Sequence, residues 1–485
     1  MRITVESVGQ FPINLRSTNA NQREVGFAAH NEAVKKLVDS YHAIPSDQRV
    51  RLAKKTSNLF RHRVTPESVG LDVSGLGSVI AIDPEALTAD VSGMCTYEDL
   101  VDCTLKYQLM PYVVPQLKTI TLGGAVTGLG IESSSFRNGL PHESVLEMDI
   151  LTGSGDIVTA SPDGPHADLF YGFPNSYGTL GYATRLKIRL EPTQPYVELR
   201  HYRFHTLDEL QQALLIASRD GSYGGEDVHF ADGVMFSATE SYLTVGRKTM
   251  EPGLVSCYTG QRIYYRSIQH ERSETPRVDR LTIHDYLWRW DTDWFWCSRA
   301  FGAQNPLVRR LWPSALRRSS IYWKILAFDR RTNFGDWLER RRGNLPRERV
   351  VQDIEVPIEN TAEFLRWFQS RVPIEPVWLC PVTLLNTRNE QPWPLYPMKA
   401  RRIYVNVGFW SAVPTEPGHE TGHTNRLIEQ EVHRLDGHKS LYSDSYYTRT
   451  EFDALYGDDT YRDLKQKYDS NGRLLDLYAK AVQRK

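Results

Sequence analysis

At 485 residues the chain is too long for one ordinary domain, so two or three are expected. Hydrophobic residues make up 40%, charged residues 24%, and the formal net charge is -1, which fits a globular chain with a large core and argues against a general nucleic-acid binder. The 5 cysteines are odd in number and lack CxxC spacing, and neither a signal-type N-terminus nor a long apolar run occurs, so reduced thiols, no membrane span and a cytoplasmic setting are expected.

Ala33, Val34, Leu37, Val38 and Tyr41 fall on one helical face, which predicts an amphipathic helix over Asn31–Tyr41. Arg51–Phe60 reads as a polar turn with strand-like flanks. Short strands are expected at Ser78–Ile82 and Thr88–Ser92, a helix over Asp99–Tyr107 and an extended stretch over Gln108–Val114. The next block carries five glycines between Gly123 and Gly139, then an alternating strand Val145–Leu151 and a hairpin turn at Gly153–Gly155. From Pro174 a turn leads into a long strand ending near Pro192. Beyond Pro195, helices such as Leu207–Ser218 alternate with strands such as Tyr242–Arg247 and Arg402–Trp410, and Tyr461–Lys485 reads as helical and polar. This pattern implies an α+β fold rather than a doubly wound parallel sheet.

Between Arg309 and Arg349 arginines cluster with Trp312, Trp323 and Trp337 interleaved. Two readings stand: a solvated face over a tryptophan-containing core, or a surface that lies against anionic headgroups.

The glycine-rich block does not complete a dinucleotide fingerprint. Gly128-Leu129-Gly130 is followed by Ser133 where GxGxxG needs glycine, and the order of strand, turn and helix is missing. Glycines let a backbone approach a ligand, and successive N–H groups can form a nest for a pyrophosphate. Thr119, Thr121, Thr127, Ser133, Ser134 and Ser135 add hydroxyls. By composition, a Gly/Ser-rich surface loop fits equally well.

The order TSN at Thr56–Asn58, TLGGAVTGLGIESSSFRNGLPHESV, and DLFYGFPNSYGTLGYATRLKIRLEP resembles the FAD domain of the vanillyl-alcohol oxidase superfamily. Within it the chain looks most like the Δ24-sterol reductase (seladin or diminuto) family. The likeness extends to VPIEN, Pro376–Pro381, IYVNVGFW and LYSDSYYTRTEF. The AIPSDQRVRLAKKTSNLFR run is similar to actinobacterial members that reduce methylene-branched fatty acyl chains in tuberculostearate formation. The resemblance implies a two-lobed FAD-binding domain over 1–195, an α+β substrate (cap) domain over 196–440 and a segment, 441–485, packing back on the FAD domain. Matched residue by residue, it puts Thr56, Ser57 and Asn58 at the first pyrophosphate turn. Thr121, Gly123, Gly124, Gly128, Gly130, Glu132 and Ser134 would line pyrophosphate and flavin. Asn175, Ser176, Gly178, Thr179 and Gly181 would run beside ribose and isoalloxazine. The first turn departs from the superfamily in lacking glycine. No histidine lies in Gly123–Gly139, so non-covalent FAD is expected; His142, just beyond, is a further candidate contact or a turn residue.

The resemblance also implies NADPH-driven reduction of an isolated C=C bond in a lipid, a phospholipid-linked acyl chain or a sterol. An unactivated alkene cannot stabilise a carbanion. Protonation of its less substituted carbon builds a tertiary cation, which hydride from reduced flavin N5 then quenches. A strong acid in a dry pocket is therefore required. Glu132 is the first candidate, followed by His284 and the Tyr442–Arg449 cluster with Tyr442, Asp444, Tyr446, Tyr447 and Arg449. Competing readings are a Δ24-sterol reductase, an FAD-dependent alcohol or sugar oxidase, and a flavin- or lipid-binding protein without turnover. A lipid substrate makes peripheral contact through 309–349, at the inner membrane face, a reasonable expectation.

Overall fold

A computed structural model describes residues 24–54, 60–61, 67–258, 262–269, 276–332, 341, 343 and 345–484. Among these, two large antiparallel sheets carry the fold. The first orders its strands as Val79–Asp83, Thr88–Ser92, Tyr182–Pro192, Val145–Leu151 and Ile157–Ala160, with Leu109–Pro111 paired on Tyr182–Pro192. Its long strand shows why: Leu186, Ile188 and Leu190 are buried while Arg185, Lys187 and Arg189 alternate towards water, the period-2 pattern of a half-buried strand.

Thr193–Pro195 carry the chain into the second sheet. Its spatial order is Asp279–Thr282, Tyr196–Phe204, Glu240–Thr249, Phe230–Ser237, Val377–Thr383, Ile403–Pro414, Arg347–Pro357 and His438–Lys439. Helices Leu207–Asp220, Thr361–Arg371 and His423–Arg434 bring Leu210, Leu214, Phe364, Phe368, Ile428 and Val432 into one core with Ile354, Val356, Val405, Val407 and Phe409 of the strands. Because side chains alternate across a strand, Asp353, Glu355, Asn406, Trp378 and Trp410 leave the opposite face. Trp378 joins the core that also holds the first sheet. The functional cavity lies on this face.

After His438–Lys439 the chain returns to the first sheet's side. Lys465 Nζ donates to Thr179 O at 2.7 Å and Tyr468 Oη to Asp168 Oδ1 at 2.8 Å.

Several local expectations need correction. The amphipathic helix is longer, Gly26–His42. Of Gln108–Val114 only Leu109–Pro111 pairs as strand. The glycine-rich block contains two short helices, Leu122–Thr127 and Ser135–Asn138, where no helix is read from its composition. The C-terminal helix is broken into Asp458–Tyr468 and Leu477–Ala481: the Asp469 carboxylate accepts the Arg473 and Leu474 N–H groups (2.8 and 3.0 Å), and Gly472 takes φ +64°. In the arginine-rich stretch, Arg309 is buried against Asp293 (2.7 Å), Arg317 is buried and Arg318 pairs with Glu98 (2.5 Å), so these three do not form an outer basic face. Trp312 packs against buried Tyr322, with Trp323 in the same apolar cluster. Trp337 lies outside the described residues. No helix among the described residues is long and apolar enough to cross a membrane.

Candidate functional site

The two sheets enclose a cavity of about 580 Å³, within the usual range for cofactor pockets. Its walls join the glycine-rich block to the Trp378–Trp410 face of the second sheet, opposite helices Leu207–Asp220, Thr361–Arg371 and His423–Arg434.

The polar end is built on helix Leu122–Thr127. Thr121 caps it, accepting the Gly124 N–H at 3.3 Å, and Lys54 Nζ donates to the same hydroxyl at 3.1 Å. Gly128 admits the ring of Tyr177, whose Cε1 would lie 3.0 Å from an added Cβ. Tyr177 sits in a turn where Asn175, Tyr177 and Gly178 all take positive φ (64°, 51° and 74°), a conformation costly for the two non-glycine residues. Lys480 Nζ ties this turn down through Tyr177 O at 2.5 Å. The guanidinium of Arg61 lies 5.0 Å from the Tyr177 ring centre. Arg51, Lys54, Arg61 and Lys480 are the charged lining residues at this end, and Asp353 at the other end is the one carboxylate among the described lining residues. Buried Gln116 also lines the wall, with an amide nitrogen that has no protein partner. A cationic, glycine-walled pocket with an unsatisfied donor suits a pyrophosphate-bearing ligand.

Seven expected cofactor residues line the cavity: Thr121, Gly123, Gly124, Gly128, Gly130, Gly178 and Gly181. Six do not, which corrects their assignment as wall residues. Ser134 Oγ donates to Tyr112 O (2.8 Å), Asn175 Nδ2 to Leu395 O (2.6 Å) and Thr179 Oγ1 to Ser176 O (2.7 Å), while Ser176 is fully buried. His142 is boxed against Trp393 and Tyr396 at 4.5 and 5.8 Å, and burial pushes its pKa down to about 3. Glu132 accepts from Arg289 Nη2 at 2.8 Å and Ser133 Oγ at 2.6 Å. Thr56, Ser57 and Asn58 lie outside the described residues.

The four catalytic candidates Glu132, His284, Asp444 and Tyr446 also stand off the cavity. His284 lies 3.4 Å from Asp102; burial opposes its charge, but Asp102 and Asp285 raise its pKa nonetheless. Asp444 faces Arg484 at 3.5 Å, and the same guanidinium stacks 5.1 Å over the Tyr446 ring. Tyr447 packs on Tyr456 and Arg449 pairs with Asp453. Of the cluster, Tyr442 reaches the cavity.

Tyr442 there meets a residue absent from the sequence-based candidates, Asp353. Trp410 Nε1 donates to the Tyr442 hydroxyl at 3.0 Å, which leaves the phenolic proton for the Asp353 carboxylate. Asn406 Nδ2 donates to Asp353 Oδ1 at 3.1 Å. Burial raises the Asp353 pKa to about 6, against the opposing pull of the Asn406 and Tyr442 hydrogen bonds. Two residues along the same strand face, buried Glu355 is raised further, to about 8, by the same desolvation. Around Asp353 the wall is aromatic: Phe295 stands 4.3 Å from Trp410 and 5.5 Å from Trp378, and Trp294 stacks on Phe60 at 5.5 Å. A signal for this acid was present in the sequence. Asp353 and Glu355 alternate onto one face of the run Val350–Pro357, with Val351 and Pro357 as the other residues of that face, and acidic side chains are almost never fully buried unless partnered.

Comparison with known proteins matches residues 25–161 to an FAD binding domain. The chain is an FAD-linked oxidoreductase. Its α+β architecture is that of the two-domain vanillyl-alcohol oxidase type. It is 25% identical over 419 residues to human Delta(24)-sterol reductase, covering 84% of this chain and 75% of that one. It is 23% identical over 451 residues to the Delta(24)-sterol reductase of Pisum sativum (84% and 76%). It is also 30% identical over 167 residues to Cytokinin dehydrogenase 10 of Oryza sativa subsp. japonica (32% and 30%). The cationic, glycine-lined end of the cavity fits the FAD pyrophosphate. Lys54→Ala removes a charge-assisted hydrogen bond there, of about 1.5–3 kcal/mol. It is expected to weaken FAD binding about 10- to 100-fold, read as the rise in Kd when apoprotein is titrated with flavin.

Proposed function

We propose that the protein reduces an isolated carbon–carbon double bond in a lipid, using NADPH as reductant. The observation that carries this reading is a buried acid, Asp353, its pKa raised to about 6 by desolvation, in an aromatic chamber continuous with the glycine-lined end of one cavity. Bound FAD supplies hydride chemistry. The chain's own residues supply the rest. The aromatic faces of Trp294, Phe295, Trp378 and Trp410 exclude water from an apolar chain. Asp353, held by Asn406 and Tyr442, delivers a proton to the less substituted alkene carbon. Positive charge then builds at the neighbouring tertiary carbon, where electron-rich ring faces attract it.

We further infer that the lipid is a 10-methylene fatty acyl chain converted to its 10-methyl product. The support is the likeness of the Ala43–Arg61 run to acyl reductases. Likeness along most of the chain to Delta(24)-sterol reductases favours a second substrate, the Δ24 bond of a sterol side chain. Mass spectrometry after incubation with NADPH and either a 10-methylene acyl phospholipid or a Δ24 sterol separates them. A gain of two hydrogens in the acyl lipid is expected. Reduction of the sterol alone overturns the acyl reading, and reduction of neither overturns both.

A further inference from the structure

Helix Pro306–Leu311 is turned inside out. It buries Arg309, whose guanidinium binds Asp293 Oδ1 and Oδ2 at 2.7 and 3.0 Å and Arg262 O at 3.1 Å. It exposes Leu307 and Leu311, which keep 74% and 84% of their accessible surface and share a face at i, i+4 spacing. Val308 and, in the next turn, Leu316 add to the same exposed apolar surface. In water both choices are unfavourable, because a buried arginine must be desolvated and an exposed leucine hydrated. The Asp293 fork locks the helix in this rotation.

Two observations identify what covers the ridge. From Pro306 to Arg318 the chain contains no Asp or Glu, and Arg310, unlike the buried or paired Arg309, Arg317 and Arg318, is exposed beside Leu311. The anchors are leucines, which are under-represented at protein–protein hot spots and suited to an acyl boundary. The ridge also continues into the cavity wall. Trp312 packs on Tyr322, Tyr322 shares a cluster with Trp294, and Trp294, Phe60, Leu117 and Cys297 belong both to that cluster and to the cavity.

We propose that the Leu307–Leu316 ridge docks the protein on an anionic lipid bilayer and brings the aromatic end of the cavity to the membrane surface. This rests on the lipid-substrate reading. The test is co-sedimentation of the full-length holoprotein with vesicles of phosphatidylcholine alone or mixed with phosphatidylglycerol, for the native chain and a Leu307→Glu/Leu311→Glu variant. Turnover of both is measured in parallel on detergent-dispersed alkene lipid. The native chain is expected to partition more strongly as phosphatidylglycerol rises. The variant is expected to lose partitioning at least about tenfold while keeping its flavin absorbance and its turnover on dispersed substrate. Equal partitioning of the two proteins, or no binding of the native chain to either vesicle, overturns the docking surface and leaves the lipid reading intact. A native dimer that the variant converts to monomer also overturns it, by assigning the ridge to a second copy. Partitioning without reduction of any lipid alkene sinks the lipid-substrate reading and, with it, the delivery role of the ridge.

Discussion

Asp353→Asn is expected to lower alkene-reduction turnover by about 10²- to 10⁴-fold, the range for loss of a general acid, with flavin content unchanged. The substitution preserves shape and removes the acidic proton. The pH dependence carries its own signature. A donor whose pKa is raised to about 6 is protonated below that value, so native turnover should fall on the alkaline side of about 6 and the Asn variant should lose that limb. Tyr442→Phe tests the same assignment from the other side. The Tyr442 hydrogen bond lowers the Asp353 pKa, so its loss should move the limb to higher pH. Stability follows the same linkage. The folded pKa lies above the unfolded value of about 3.9, so this contribution is fully present below about 3.9 and is lost as pH rises through about 6. Near pH 8 the Asn variant should therefore melt no lower than the native chain. Full turnover in Asp353→Asn with normal flavin content removes Asp353 from the chemistry and returns the search to Tyr442.

The polar end of the site was more legible in sequence than the apolar end, for a physical reason. A phosphate cradle needs backbone close to the ligand, and that demand leaves glycines in a compact run such as Gly123–Gly130 with Gly178 and Gly181. Serines and asparagines in the same runs look alike on paper, but Ser134, Asn175 and Thr179 spend their hydrogen bonds on Tyr112, Leu395 and Ser176 and so brace the wall. Local sequence cannot separate bracing from lining. The chamber around Asp353 draws on Phe60, Trp294, Trp378, Asn406, Trp410 and Tyr442, which meet only when the second sheet turns its Asp353 face to the first. Glu132 failed as the facing acid because its partner, Arg289, lies far along the chain. Strand alternation was readable, as in Tyr182–Pro192; the face each strand turns to a distant sheet was not.

That partner sets the largest expected effect on stability. Arg289 is almost wholly buried, with Nη2 2.8 Å from Glu132 Oε1 and 2.9 Å from Asp232 Oδ2, and its Cζ 4.1 Å over the Tyr286 ring. Burial works against its charge, and the two carboxylates and neighbouring tyrosines outweigh that, so the guanidinium stays protonated. Arg289→Leu would leave two buried acids without their cation, at a cost of about 3–5 kcal/mol, read as a lower denaturation midpoint. Glu132→Gln keeps the Arg289–Asp232 pair and should cost less, with turnover per folded molecule within a few-fold of native because Glu132 stands off the cavity. The triple change Glu132→Gln, Asp232→Asn, Arg289→Leu removes every charge at once and should recover part of the loss, since neutral replacement of a buried ion triad avoids the unpaired charges. The triad also reaches the chemistry indirectly. Trp378 Nε1 donates to Asp232 Oδ2 at 3.2 Å, and Trp378 forms part of the aromatic wall. Any variant that frees Asp232 should therefore loosen that indole and raise KM for the lipid more than it lowers kcat. A fall in kcat at constant KM would instead place Arg289 or Glu132 at the reacting carbons.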